Sequence, residues 1–181
     1  SDVVRGRRHV YRGWWILAAS LLATTAGSGI SFWSFGLYIA PLESEFGWSR
    51  TEVSLGFSIA VVAGGISAPL IGRWVDTRGP RSAIVTGSIL AMITYLLLST
   101  TGNLLQWYIY SALNELSRAM MFFIPFQALI ARWFNRRRGL ATGIFGTAFS
   151  LGGFLVMPIM GFTIDTFGWR SGFVASGVVV A

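Results

Sequence analysis

Cysteine is missing from the sequence and so is lysine, so that all 14 basic residues are arginine. Without cysteine there can be no disulfide, no thiolate chemistry and no cysteine metal site. Charge is scarce too, at 12% of 181 residues, against 54% apolar and 15% aromatic, and the mean hydropathy is +0.63. A soluble domain carries about 25% charged residues, so the solvent this composition suits is lipid. The formal net charge of +7 does not read as affinity for nucleic acid, because the arginines stand in short clusters between apolar runs and form no continuous basic face. No nucleotide-binding loop, metal cluster or nucleophile constellation occurs, which speaks against an enzyme or an ATP-driven pump and calls for no cofactor.

What is present is a series of apolar runs. A bilayer core about 30 Å thick needs about 20 apolar helical residues, and runs of this kind lie near 14–39, 53–74, 83–99, 104–131, 140–162 and from 169 onward. The last, Trp169 to Ala181, is 13 residues and reaches only about 20 Å as a helix. Residues 1–181 are therefore expected to form an all-α, multi-pass membrane domain of six helices whose sixth is cut short. Trp14, Trp15 and Tyr38 suit the interfacial ends of the first run, which is too long for a cleaved signal peptide.

Arginine placement sets the expected orientation. Eleven arginines fall on one side: Arg5, Arg7, Arg8 and Arg12 before the first run, Arg73, Arg78 and Arg81 after the second, and Arg132, Arg136, Arg137 and Arg138 after the fourth. Only Arg50 and Arg170 fall on the other, beside Glu43, Glu45, Glu52 and Asp165. This places the N-terminus in the cytoplasm and the chain in a cell (inner or plasma) membrane. Arg136 to Arg138 can also attract anionic inner-leaflet lipids. His9 reads as a solvated residue among arginines.

The chain also repeats itself. Pro69, Gly72, Asp76, Gly79 and Arg81 return as Pro158, Gly161, Asp165, Gly168 and Arg170, an offset of 89 residues from Pro69 to Pro158, with Thr77 and Thr166 in step. That offset equals three spans, so the two units are inverted relative to each other. Paired inverted units of this type underlie alternating access, since each can take the other's inward or outward role.

The first copy, GRWVDTRGPR (Gly72 to Arg81), resembles the loop between the second and third helices of the major facilitator superfamily, at Gly72, Asp76, Gly79, Pro80 and Arg81. The resemblance implies a six-helix N-terminal half of that fold, with the C-terminal half of the same protein missing. It also implies that Asp76 and Arg81 form a gate against a helix of that other half. By themselves, Gly79 permits a positive-φ turn, Pro80 suits a helix start, Gly72 permits close helix approach, and Asp76 can contact Arg81. RGWWILAAS (Arg12 to Ser20) and RWFNRRRGLATGI (Arg132 to Ile144) are similar to segments of the monocarboxylate transporter and oxalate/formate antiporter branch. Gly139 with Gly143, and Gly168 with Gly172, have the four-residue spacing of close helix contacts, and packing is also the reading for Gly64, Gly65, Gly152 and Gly153.

Two ionisable residues stand well inside a run. Arg118 lies near the middle of the fourth, where an arginine costs roughly 3 kcal/mol or more, and Glu115 is three residues away on the same helix face. The pair is either a self-neutralising strut or part of a water-lined pathway. In the second reading Arg118 binds the carboxylate of a small organic anion with two parallel hydrogen bonds, and Glu115 tunes it or carries a coupled proton. The surrounding NELSRAMMFFIPFQ (Asn114 to Gln127) is bulkier than the small-residue fourth helix of that branch, which implies a differently shaped cavity. Asn114 and Gln127 have amides that need partners in lipid. In the first run Thr24, Thr25, Gly27, Ser28, Gly29 and Ser31 could face the pathway, with Phe32 or Trp33 against substrate, or could be helix contacts.

The leading expectation is a secondary transporter for a small, monocarboxylate-like anion, a proton symporter or an exchanger, whose partners are substrate, a proton or counter-substrate, the bilayer and the other half, with no nucleic acid. The alternatives are an efflux transporter for a drug-like or neutral solute, and a transporter-like sensor that moves nothing.

Overall fold

The computed structural model describes residues 12–133 and 138–180. Arg5, Arg7, Arg8, His9, Arg136 and Arg137, on which much of the expected orientation rests, lie outside the described residues. Within them the fold is helical throughout: α1 (Arg12–Ser31), a 3-10 stretch (Trp33–Tyr38), α2 (Ile39–Phe46), α3 (Arg50–Arg78), α4 (Pro80–Ser99), α5 (Leu104–Met121), α6 (Phe123–Trp133), α7 (Arg138–Phe167) and α8 (Trp169–Val180). Four stretches, 14–46, 50–78, 80–99 and 139–167, are long and apolar enough to cross a membrane. Side chains such as Trp15, Ile66, Leu70, Phe154 and Ile159 point outward from the bundle, as a lipid-facing surface requires.

Local chemistry sets the ends of these helices. Ser49 and Glu52 form a reciprocal capping box at the start of α3, with Ser49 N–H donating to the Glu52 carboxylate at 2.8 Å and Glu52 N–H to Ser49 Oγ at 3.2 Å. Asn103 Oδ1 accepts from Gln106 N–H at 2.9 Å to cap α5. Gly47 ends α2 at φ 69°. The first span therefore runs on to Phe46 through a 3-10 stretch and does not stop near Ile39, because its terminator is Gly47 and the charges of Glu43 and Glu45 are carried on the last helical turns. Likewise α3 and α7 outrun their apolar cores. At 29 residues, α3 is about 44 Å long, enough to cover the interfacial layers as well.

The repeat is present in three dimensions. Gly79 and Gly168 close α3 and α7 with φ of 84° and 83°, and their N–H groups donate to Val75 and Ile164 at 3.0 and 2.9 Å. These donors and acceptors match at the same offset of 89 that joins Pro69 to Pro158. One part of the packing matches too: α1 lies along α7 and α5 along α3, pairs that exchange when the units are overlaid, although α5 lies along α4 as well. Gly79, at φ 84° and ψ 157°, occupies a region open almost only to glycine. Gly79→Ala is expected to cost about 1–3 kcal/mol, measured as a lower thermal midpoint in detergent; an unchanged midpoint would show that the corner tolerates another backbone path.

The expected fourth helix is in two pieces. Pro125 has no N–H to give Met121 and its ring crowds the preceding turn, and the backbone breaks at Phe122, with φ −110° and ψ −79°. Phe122 N–H still closes on the Arg118 carbonyl at 3.0 Å. Gly27 of α1 and Gly87 of α4 make room on either side: a Cβ on the first would meet the Phe122 ring, and one on the second the Met120 and Met121 backbone.

Backbone comes closest to backbone where α1 meets α7. A Cβ on Gly152 would fall 2.5 Å from the Thr25 carbonyl oxygen, and one on Gly29 would fall 2.5 Å from the Gly152 carbonyl oxygen. Gly64, Gly153 and Gly172 are also tight. By contrast Gly139 and Gly143, expected at such a contact, have none of the described residues within 4 Å of where a Cβ would be, and the same holds for Gly65 and Gly72. Small residues at this spacing allow a neighbour but do not supply one.

Candidate functional site

Arg118 sits in the last turn of α5, where the carbonyl-rich end of a helix favours a cation. The Pro125 break creates that end near the centre of the span. One turn back, Glu115 meets it head on: Arg118 Nε donates to Glu115 Oε2 at 2.8 Å and Nη2 donates to Oε1. Both side chains are mostly buried, at 23% and 16% exposure. Space for the carboxylate comes from α3, where a Cβ on Gly64 would lie 2.9 Å from Glu115 Oε1. Gly64 is thus a site residue that sequence reasoning assigned to packing; the signal was there in the identical offset, since Gly153 of α7 makes room in the same way for the Trp33 ring.

The ion pair forms a wall between two cavities. The larger, about 310 Å³, is bounded by Thr24, Ser28, Phe32, Gly64, Phe122 and Phe149 together with the pair. The smaller, about 50 Å³, lies toward Tyr95, Trp107, Asn114 and Phe173. Phe32 lines both, and its ring packs on Phe149 and Phe57 at 5.0 and 5.5 Å between centroids. An apolar chamber with a single charged wall strengthens any interaction made there, because the surroundings screen it little. Nε and Nη2 each give an N–H to Glu115 in this state, which occupies two of the five guanidinium donors and offsets the charge that an incoming anion would meet.

The other expected residues divide. Asn114 lines the smaller cavity while its Nδ2 donates to Thr94 Oγ1 at 3.1 Å. Ser28 lines the larger one, and its Oγ donates to the Phe149 carbonyl at 3.2 Å. Trp33 Nε1 donates to that same carbonyl at 2.8 Å, so Ser28 and Trp33 both fasten the first span to α7; Trp33 lines neither cavity. Gln127, half-buried on α6, is likewise away from both. A contact that was not anticipated ties Ser31 to Tyr95, hydroxyl to hydroxyl, at 2.7 Å.

At the glycine corner between α3 and α4, Asp76 and Arg81 are exposed and make no ion pair with each other among the described residues. The expected contact between them is therefore absent from this arrangement, in which the helix turn points both toward solvent. Arg78 lies over the Trp74 ring at 4.4 Å, and Ser82 Oγ donates to the Gly79 carbonyl at 2.8 Å. The second corner is dressed differently. Glu45 accepts from Trp169 Nε1 and from Arg170 Nη1, each at 2.6 Å, and Arg170 lies over the Trp169 ring at 4.3 Å.

Comparison with known proteins adds the family. The model of the Major Facilitator Superfamily matches residues 21–181. Monocarboxylate transporter 11 of Mus musculus is 29% identical over 169 residues, covering 92% of this chain and 38% of that protein. Monocarboxylate transporter 13 of Bos taurus is 29% identical over 159 residues, 87% of this chain and 37% of that protein. The oxalate:formate antiporter of Oxalobacter formigenes is 24% identical over 167 residues, 92% of this chain and 40% of that protein. The chain thus spans about two fifths of the length of these curated relatives.

Proposed function

The chain belongs to the Major Facilitator Superfamily, and we propose on that premise that residues 1–181 are the N-terminal half of a secondary transporter carrying a small organic anion by alternating access. The observation that carries this reading is the two-pronged Glu115–Arg118 pair at the helix break, set in the wall of an apolar chamber. A guanidinium in that position has the geometry to hold a carboxylate, and relatives named for monocarboxylates and for oxalate and formate point to the same class of solute. A C-terminal half would complete the chamber, and Gly72, Asp76, Gly79 and Arg81 would meet one of its helices as the gate. The proposed location is a cell membrane with the N-terminus in the cytoplasm.

The chemistry follows from competition for one cation. While Glu115 is ionised it occupies two of the five Arg118 donors and neutralises the guanidinium, which then holds substrate less tightly. A proton on Glu115 converts an ionic acceptor into a neutral one and weakens its hold, so the guanidinium turns to the incoming carboxylate. Release of the anion to the other side returns Arg118 to Glu115, which gives up its proton. One proton then accompanies one anion; in an exchanger a second anion takes the place of Glu115.

Uptake by the full-length protein in proteoliposomes tests this. Monocarboxylate uptake is expected to rise when the lumen is made alkaline, or to require a trapped counter-anion, with neutral solutes excluded. A second reading has its own support, because the pair is complete without substrate: an efflux transporter for a neutral or drug-like solute with Glu115 as its proton site. Proton-driven movement of neutral solutes with no carboxylate flux would select that reading, and no flux of any solute would favour a sensor.

A further inference from the structure

Phe122 separates two voids. On one side is the chamber of about 310 Å³ that holds the ion pair. On the other is a void of about 200 Å³ between α1, α4 and α8, lined by Ala23, Gly27, Ser88, Phe126 and Val179, with Phe122 again in its wall. Successive α1 residues divide accordingly, Thr24 and Ser28 facing the first void and Ala23, Ala26 and Gly27 the second. The ring is seated directly on Gly27, where an ideal Cβ would fall 2.1 to 2.6 Å from its carbons. It hangs from the break between α5 and α6, one turn beyond Arg118, and is 8% exposed.

We infer that Phe122 sets the length limit for the apolar tail of the transported anion. This rests on the carboxylate reading above: with the carboxylate at Arg118, the tail extends into the chamber and meets the ring as its end wall. Among the described residues that line the second void, Ser88 has the one polar side chain, so an apolar tail can enter once the ring is removed. Shortening the residue at 122 joins the two voids and lengthens the chamber without touching the charged wall.

The experiment is uptake of straight-chain monocarboxylates from acetate to octanoate by the full-length protein in proteoliposomes, counted above protein-free vesicles. It compares wild type, Phe122→Leu and Phe122→Ala. One methylene too many in a closed apolar site is rejected about tenfold. The ratio of octanoate to propionate uptake is therefore expected to rise about tenfold or more in Phe122→Ala, with Phe122→Leu between it and wild type. The leucine variant decides the matter if the alanine variant does not fold. A profile in Phe122→Leu and any active Phe122→Ala that superimposes on wild type would overturn the inference while leaving the carboxylate reading intact. Wild-type protein that carries no carboxylate of any length would overturn both.

Discussion

Arg118→Gln is expected to lower carboxylate uptake about a hundredfold or more while the protein still folds, and Glu115→Gln is expected to do the reverse, keeping anion binding but losing stability. The difference follows from what each change leaves behind. Removing one member of a buried, hydrogen-bonded charge pair costs about 2–5 kcal/mol, much of it from the charge left alone. A lone Glu115 has an exit, since it can take up a proton and become neutral in its apolar surroundings. A lone Arg118 does not, because a guanidinium keeps its charge at any accessible pH. Glu115→Gln should therefore melt earlier, with a loss of about 3 kcal/mol, and its remaining uptake should no longer respond to a pH gradient. Arg118→Lys keeps the charge but not the two-pronged geometry and should recover little. Unimpaired uptake by Arg118→Gln would reject Arg118 as the anion site and leave the pair as a strut.

The second large effect lies away from the charges. Gly152→Ala is expected to destabilise the bundle by about 3 kcal/mol, because the new methyl would sit 2.1 Å from Ser28 Oγ, 2.5 Å from the Thr25 carbonyl oxygen and 2.7 Å from the Gly29 nitrogen. Two of those three atoms are backbone, so rotating a side chain gives no relief and α1 has to move away from α7. The shift would also stretch the hydrogen bonds from Ser28 and Trp33 to the Phe149 carbonyl, now 3.2 and 2.8 Å. Gly143→Ala and Gly146→Ala on the same helix are the controls. Among the described residues nothing lies within 4 Å of a Cβ at either position, and alanine is preferred to glycine inside a helix by about 0.5–1 kcal/mol. Thermal melting in detergent should place Gly152→Ala well below wild type and the controls at or above it. Equal midpoints for all would mean that α1 and α7 are not in the close contact described.

Much of this architecture was legible in the residues alone. The spaced identities from Pro69 to Arg81 and from Pro158 to Arg170 foretold two matching corners, and Gly79 and Gly168 take the same positive φ. The three-residue spacing of Glu115 and Arg118 foretold their contact. Hydropathy failed where backbone hydrogen bonding decides. The run 104–131 reads as one span by length, yet Pro125 splits it, a signal that a window average dilutes. The tightness of Gly152 and the openness of Gly143 were indistinguishable in sequence, because spacing within one helix says nothing about which face its neighbour takes. For the candidate site, the charged residues could be named in advance, but their cavity could not. Gly64 and Phe122 shape it through contacts with helices far away in the chain.

The two glycine corners share a backbone but not a load. Glu45 clamps the corner at Gly168 to the end of the first span through both Trp169 and Arg170. Among the described residues, Arg81 at the Gly79 corner takes part in no ion pair. At the Gly168 rim, any tilt of α8 therefore has to carry the end of the first span with it, because the Glu45 carboxylate grips two neighbouring residues of α8 at once.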